Sequence, residues 1–305
     1  MNSLLEEIPE FLRVKLINKY GEDTSLKIVN GYKVNRKLTF RVNNIKSSKT
    51  EIEKVLAENN ISYKIPEFYE DGFIILNKEK EEIENLDIYK EGKIYMQSLS
   101  SMIPPIVLDP KEGEDILDMA AAPGGKTTQI ASISNNKANL TAVERNNIRA
   151  ERLKYNIEMQ GAKVFVMTKD ARDIDDFFSF DKILLDAPCS GSGIIDIKDD
   201  KYKKYFTEEL IEKSKKTQTA LLRKATKTLK RGGEIIYSTC SILEDENEDV
   251  ITTVLRENKN IELVDIDFDR FECVPRLKTT LKETMCVLPN EEYEGFFVAK
   301  LRKKE

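Results

Sequence analysis

The chain has 305 residues, long for one domain and comfortable for two, and its 40% hydrophobic and 34% charged content is that of a soluble protein with a sizeable core. The net charge of −5 argues against a simple polyanion binder. The absence of histidine excludes Ser-His-Asp and Cys-His chemistry, and the four cysteines contain no close C-x₂₋₄-C pair for zinc and make no disulfide framework.

The opening Met1-Asn2-Ser3-Leu4-Leu5-Glu6-Glu7 lacks a basic region followed by an apolar stretch, and no apolar run reaches membrane-spanning length. A cytoplasmic protein with no membrane partner and no metal is therefore expected. A helix is predicted near Leu4–Lys19 and a strand at Lys37–Val42. Ser48-Lys49-Thr50-Glu51 then matches a capping box opening a helix over Glu51–Glu58. Short strands are expected at Ile61–Tyr63 and Phe73–Asn77. This part reads as a small α+β module over residues 1–105, with a soft boundary somewhere between 90 and 110.

From Asp115 onward the pattern is strand, turn, helix, repeated, which predicts an α/β domain over residues 106–305 with a parallel sheet. Strands are expected at Asp115–Met119, Leu140–Val143, Val164–Thr168, Lys182–Asp186 and Glu234–Thr239. Asn146 or Asn147 should cap a helix that ends at Gly161. Thr207 should open a long helix stopped by Gly232-Gly233. A last helix is expected near Asp245–Glu257, followed by an antiparallel pair at the sheet edge, Met285–Leu288 and Gly295–Leu301.

Ala122-Pro123-Gly124-Gly125-Lys126-Thr127 approaches a P-loop, but the first glycine of that motif would fall at Ala120, and the G-x-G-x-x-G spacing is absent too. What remains is a turn that lets backbone amides approach a ligand, with Glu144 ending the next strand where a carboxylate takes ribose hydroxyls. That suits a nucleoside cofactor without a pyrophosphate, S-adenosylmethionine being the obvious candidate. Cys189 and Cys240 each follow the end of a buried strand, outside which ligands of parallel sheets bind. If those strands are neighbours, about 4.8 Å apart, both thiols face one pocket.

These residues resemble the RsmB/Sun-type (Nop/Sun) RNA cytosine-C5 methyltransferases. The carrying motifs are Gln97–Ser101, Asp118–Thr127, Asp186–Gly193, Ser238–Ser241 with Glu246-Asn247-Glu248, and Gly295–Lys300. The resemblance implies a Rossmann-like class I S-adenosylmethionine-dependent fold behind an amino-terminal RNA-binding module, acting on tRNA or rRNA as a monomer. By matching position it implies Cys240 as the attacking thiol and Cys189 as the thiol that aids release. The turn Ala120, Ala121, Ala122, Pro123, Gly124, Gly125 and Lys126 would hold the methionine moiety, Glu144 the ribose and Asp170 the adenine. Asp186 would line the pocket and, with Lys126, touch the target base; Arg41 and Lys46 would contact RNA. Departures stand at Ala120, Ser98, Glu244 and Asn290, and Ile194–Lys198 lacks the arginines often found there.

A thiolate adding at C6 of cytosine makes C5 nucleophilic, and the same group must leave afterwards, which selects cysteine over serine. Cys240 is expected just before a helix amino terminus, where a thiol pKa falls. Cysteines within apolar strands are ordinarily small core residues, the reading kept for Cys273 and Cys286. The basic residues Lys33, Arg36, Lys37, Lys49, Lys201, Lys203, Lys204, Lys213, Lys215, Lys216, Arg223, Lys224, Lys227, Lys230 and Arg231 are read mostly as solvated faces. The alternatives are an RNA-binding ribosome-assembly factor with weak or lost turnover that keeps the cofactor, and a small-molecule methyltransferase.

Overall fold

The structure, a computed structural model, describes residues 3–199 and 202–305; Met1, Asn2, Asp200 and Lys201 lie outside them. A 3-10 turn at Ser3–Glu6 precedes α1 (Glu10–Tyr20), and Gly21 turns the chain into α2 (Glu22–Lys33). The expected first helix is thus split where Pro9, lacking an N–H to give, sits at the entrance of α1. A small unit follows: β1 (Thr39–Val42), α3 (Lys49–Glu58), β2 (Tyr63–Lys64), β3 (Gly72–Ile75), α4 (Lys80–Glu84), α5 (Asp87–Lys90) and β4 (Ile94–Met96). Its antiparallel sheet runs β2-β3-β1-β4. Phe40 stacks on Phe73 at 5.1 Å between ring centroids, and Ile52 and Leu56 of α3 complete the apolar centre. Ser48 caps α3 by accepting from the Glu51 amide.

The chain crosses through α6 (Leu99–Leu108) into β5 (Asp115–Asp118), α7 (Gly125–Ile133), β6 (Asn139–Val143), α8 (Asn147–Gln160), β7 (Val164–Met167) and β8 (Phe180–Asp186). Then come α9 (Tyr202–Tyr205), α10 (Glu208–Thr228), β9 (Leu229–Thr239), α11 (Glu248–Glu257), β10 (Ile261–Val264), β11 (Arg276–Leu277), β12 (Met285–Val287) and β13 (Phe296–Lys303). The large sheet runs β11-β12-β13-β9-β8-β5-β6-β7, with β10 also on β13. Strands β5 to β9 are parallel, and β13 joins β9 antiparallel. The expected parallel α/β sheet is present. Its direction of winding reverses between β5 and β8, where such sheets open a ligand crevice. Asn146 caps α8 through the Arg149 amide, and Gly161 closes it in the left-handed region.

Three expectations change. The boundary at 105/106 falls inside α6, and α1 and α2 do not belong to the small unit. Leu12, Leu16, Ile28 and Tyr32 pack in one cluster with Ile235, Tyr237 and Phe297 of the large sheet. Second, α10 ends at Thr228, before the glycines: Gly232 and Gly233 lie within β9, in the irregularity between the pairs Phe180↔Leu229 and Lys182↔Glu234. A Cβ at Gly233 would stand 2.7 Å from the Asp181 carbonyl oxygen, so the glycine there admits a backbone approach. Third, β12 and β13 do pair antiparallel, but β13 lies inside the sheet, flanked by β9 on one side and by β12 and β10 on the other.

Candidate active site

Asp118, Glu144, Asp186 and Ser238 stand at or just beyond the carboxyl ends of β5, β6, β8 and β9, so the strand order itself gathers them. Asp186 pairs with Ser238 across β8 and β9, which brings the loops beyond them together. The Cys189 and Cys240 sulfurs meet at 2.9 Å. The proton shared in that contact, then burial, hold the Cys189 thiol well above the ordinary cysteine pKa. The helix-terminus argument for Cys240 does not apply, because the first turn after it is a 3-10 turn at Glu244–Glu246 and α11 begins only at Glu248. The cation facing Cys240 is Lys126. Burial works against its charge, yet Asp186 above all, with Cys240 and Asp118, carries its pKa above the usual lysine value.

Lys126 Nζ donates to Asp186 Oδ2 and to Ser101 Oγ, both at 2.7 Å, and lies 5.2 Å from the Phe296 ring centroid. Ser238 Oγ donates to Asp186 Oδ1 at 2.8 Å, so both carboxylate oxygens are fixed. Asp118 is wholly buried: burial raises its pKa to about 6, Thr127 Oγ1 donates to Oδ2, and Oδ1 has no partner among the described residues. In the glycine turn, Arg149 donates to the Ala122 carbonyl and Asn156 to that of Pro123, both at 2.7 Å, while Arg41 donates to that of Gly125 at 3.0 Å. Three carbonyls are thereby held by side chains of α8 and β1. Gly124 takes φ +112°, closed to a side chain at low cost.

Two clefts meet at these residues. One, of about 840 Å³ including its mouth, is lined by Met119, Glu144, Asp170, Pro188 and Leu221 among others. The other, of about 870 Å³, is lined by Tyr95, Ser101, Asp118, Lys126, Glu294 and Phe296 among others. Asp186 and Cys240 line both, as do Ala120 and Ala122. Glu144 is 4% exposed, accepts from the Asn146 amide and faces Arg149 at 3.6 Å. Asp170 is forked by Arg172, whose hydrogen bonds pull its pKa down to about 2.

The two expected RNA contacts fare differently. Lys46 is exposed, with its ammonium on the Glu91 and Met159 carbonyls. Arg41 is wholly buried. Its Nε donates to Gln97 Oε1 at 2.8 Å and its Nη2 to Thr128 Oγ1 at 2.9 Å, and it lies 5.0 Å from the Tyr95 ring centroid. No face of it is left for RNA. Cys286 is buried as expected, while Cys273 is exposed rather than core. Much of the second basic stretch is ion-paired, Lys215 with Asp249, Arg223 with Glu257, and Lys224 with Asp176.

Residues 105–302 match the family model 16S rRNA methyltransferase RsmB/F. The chain belongs to the RsmB/F methyltransferase family. Against the probable ribosomal RNA small subunit methyltransferase B of Bacillus subtilis, this RsmB/F chain is 31% identical over 303 residues, 97% of its length and 66% of the relative's. It is 34% identical over 274 residues to the tRNA (cytosine(49)-C(5))-methyltransferase of Pyrococcus abyssi, covering 87% and 88% of the two chains. The crystal structure of a methyltransferase homolog protein from Pyrococcus horikoshii superposes with TM-score 0.86 at 31% identity over 99% of both chains. The chain spans between half and two thirds of the length of the first curated RsmB/F relatives it matches.

Sequence reading passed over the second cleft's other walls, Tyr95, Glu294 and Phe296, and the side chains that hold the glycine turn. Arg149 and Asn156 do sit seven residues apart on α8. That spacing marks one face of a helix, but it carries no hint of what the face touches.

Proposed function

We propose that this chain is an S-adenosylmethionine-dependent RNA cytosine-C5 methyltransferase acting on tRNA or rRNA through a covalent Cys240–C6 adduct. The observation that carries the reading is that Cys240 and Asp186 form the wall between two clefts. One cleft suits a nucleoside cofactor: Glu144 for the ribose hydroxyls, Asp170 for the adenine, and the turn Ala120–Lys126 for the methionine end. Its carboxylates stand at successive strand ends, where the ligands of such sheets bind. When bound, S-adenosylmethionine supplies an electrophilic methyl group.

The other cleft takes the target base, splayed out of its RNA. Cys240 sulfur bonds to C6, and the electron pair displaced from C5=C6 enriches C5. Asp186 bonds the N3/N4 edge and shares the charge that develops there, and Lys126 fixes Asp186 in place. After methylation, C5 gives up its proton, the C5=C6 bond re-forms and the C6–S pair returns to Cys240. Cys189, touching that sulfur, assists the departure. Two relatives are named for rRNA and for tRNA methylation, which supports the substrate class and leaves both RNAs within it.

The test is methyl transfer to total RNA from cells lacking this protein, with bisulfite sequencing to locate the cytosine. Cys240→Ala should abolish transfer, and Cys189→Ala should accumulate a covalent protein–RNA adduct. Full activity of the Cys240→Ala protein refutes the assignment; cofactor binding without methylation of any RNA supports an assembly factor instead.

A further inference from the structure

Glu246 is wholly buried and bound to both cysteine loops. Its Oε1 accepts from the Ser190 amide at 2.7 Å and from Gln218 Nε2 at 3.2 Å. Its Oε2 accepts from Ser190 Oγ at 2.5 Å and from Ser241 Oγ at 2.6 Å. Ser190 follows Cys189 and Ser241 follows Cys240, so a single carboxyl group ties together the residues next to the two thiols. Gln218 also donates to the Pro188 carbonyl, and Tyr237 OH donates to the backbone carbonyl of Glu246, which fixes the carboxyl from α10 and β9. No cation pairs with the Glu246 carboxyl among the described residues; its partners are neutral donors. Lys126, held by Asp186, faces Cys240.

We infer that Glu246 is a positioning residue that makes the two thiols unequal, keeping the proton on Cys189 so that its S–H points at the sulfur of Cys240. The inference rests on the reading of Cys240 as nucleophile and specifies how Cys189 aids release. Negative charge at Glu246 disfavours a second negative charge at Cys189, whose neighbour Ser190 gives that carboxylate two hydrogen bonds, against one from Ser241. The elevated pKa of Cys189, to which Glu246 contributes after Cys240 and burial, agrees with this arrangement. As the C6–S bond breaks, its electron pair moves onto Cys240 sulfur, which is stabilised by the S–H of Cys189. The C5 proton leaves to water, and its bonding pair restores C5=C6. Cys189 keeps its proton throughout and acts as a donor.

The decisive measurement needs no RNA. The full chain is alkylated with limiting iodoacetamide at neutral pH, and modification at Cys189 and Cys240 is followed by peptide mass spectrometry, since the thiolate is the reacting form. In the wild type Cys240 should react first. Glu246→Gln, which keeps the shape and removes the charge, should raise the reactivity of Cys189 relative to Cys240 about tenfold. Glu246→Asp, which keeps the charge, should stay within about threefold of the wild type. Equal shifts in the Gln and Asp variants would reduce Glu246 to a packing role and overturn the inference. So would a wild-type protein in which Cys189 reacts as fast as Cys240, a result that stands even if the Gln variant fails to fold. If the thiols behave as expected but no RNA is methylated, the functional reading fails and the polarised pair survives. If RNA is methylated but the thiols are equivalent, the reverse holds.

Discussion

Replacing Arg41 by methionine separates two accounts of the small sheet. A surface arginine that meets RNA would lose affinity and salt dependence while the fold stayed intact. The buried Arg41 instead leaves Gln97 Oε1, the Gly125 carbonyl and Thr128 Oγ1 without its donors. Hydrogen bonds from a charged group contribute about 1.5–3 kcal/mol each, so the gross loss is several kcal/mol. Part is recovered, because a guanidinium whose Nη1 finds no partner no longer has to be desolvated. A net destabilisation of about 3 kcal/mol follows, which lowers the melting temperature of a chain this size by about 5 °C. The glycine turn also loosens, so calorimetry should show weaker S-adenosylmethionine binding. An unchanged melting temperature together with a tenfold loss of RNA affinity would refute the clamp and restore the RNA contact.

Asp118 sets a pH dependence. Its pKa rises from 3.8 in the unfolded chain to about 6 in the fold, so its protonated form is favoured by folding. That contribution is complete below about pH 4 and is lost as pH climbs through 6, worth about 3 kcal/mol. In urea unfolding, Asp118→Asn should therefore gain about 2 kcal/mol on the wild type between pH 4 and pH 7, and a constant difference would contradict the buried charge. Gly193→Ala tests the join behind the thiols. The new Cβ would stand 2.0 Å from the Gly295 carbonyl oxygen, where the Gly193 carbonyl accepts from Gly295 and the Gly193 amide donates to Cys240. A loss of about 3 kcal/mol or more is expected by denaturant titration; a neutral substitution would show that the loops can part.

The sequence shows its sheet where strands end in chemistry. Asp118, Glu144, Asp186 and Cys240 each close a short apolar run, and the structure puts all four ends at one crevice. Caps with local signatures, Ser48, Asn146, Gly161 and Thr207, also fall where their side chains or torsions require. What escaped reading depends on partners far along the chain. The α6 helix carries Pro104 and Pro105 within it, a pattern that argues against a helix until tertiary packing overrides it. α1 and α2 look like part of the segment that follows them, and only the cluster with Tyr237 and Phe297 assigns them to the large sheet. Arg41 reads as a surface charge because arginine is seldom fully buried. Nothing in its neighbours announces that the glycine turn will supply its acceptor.

Strand β13 lies against β9 along its final residues, pairing Phe297 with Thr239 next to Cys240. The strand that leads to Cys240 is thus completed by backbone written about sixty residues later in the gene. During translation the cysteine loop must wait, one flank of its strand bare, until Lys303 has cleared the exit tunnel. Synthesis and competence are therefore separated in time, and a truncated product ending before β13 would carry both thiols without the wall that sets them in place.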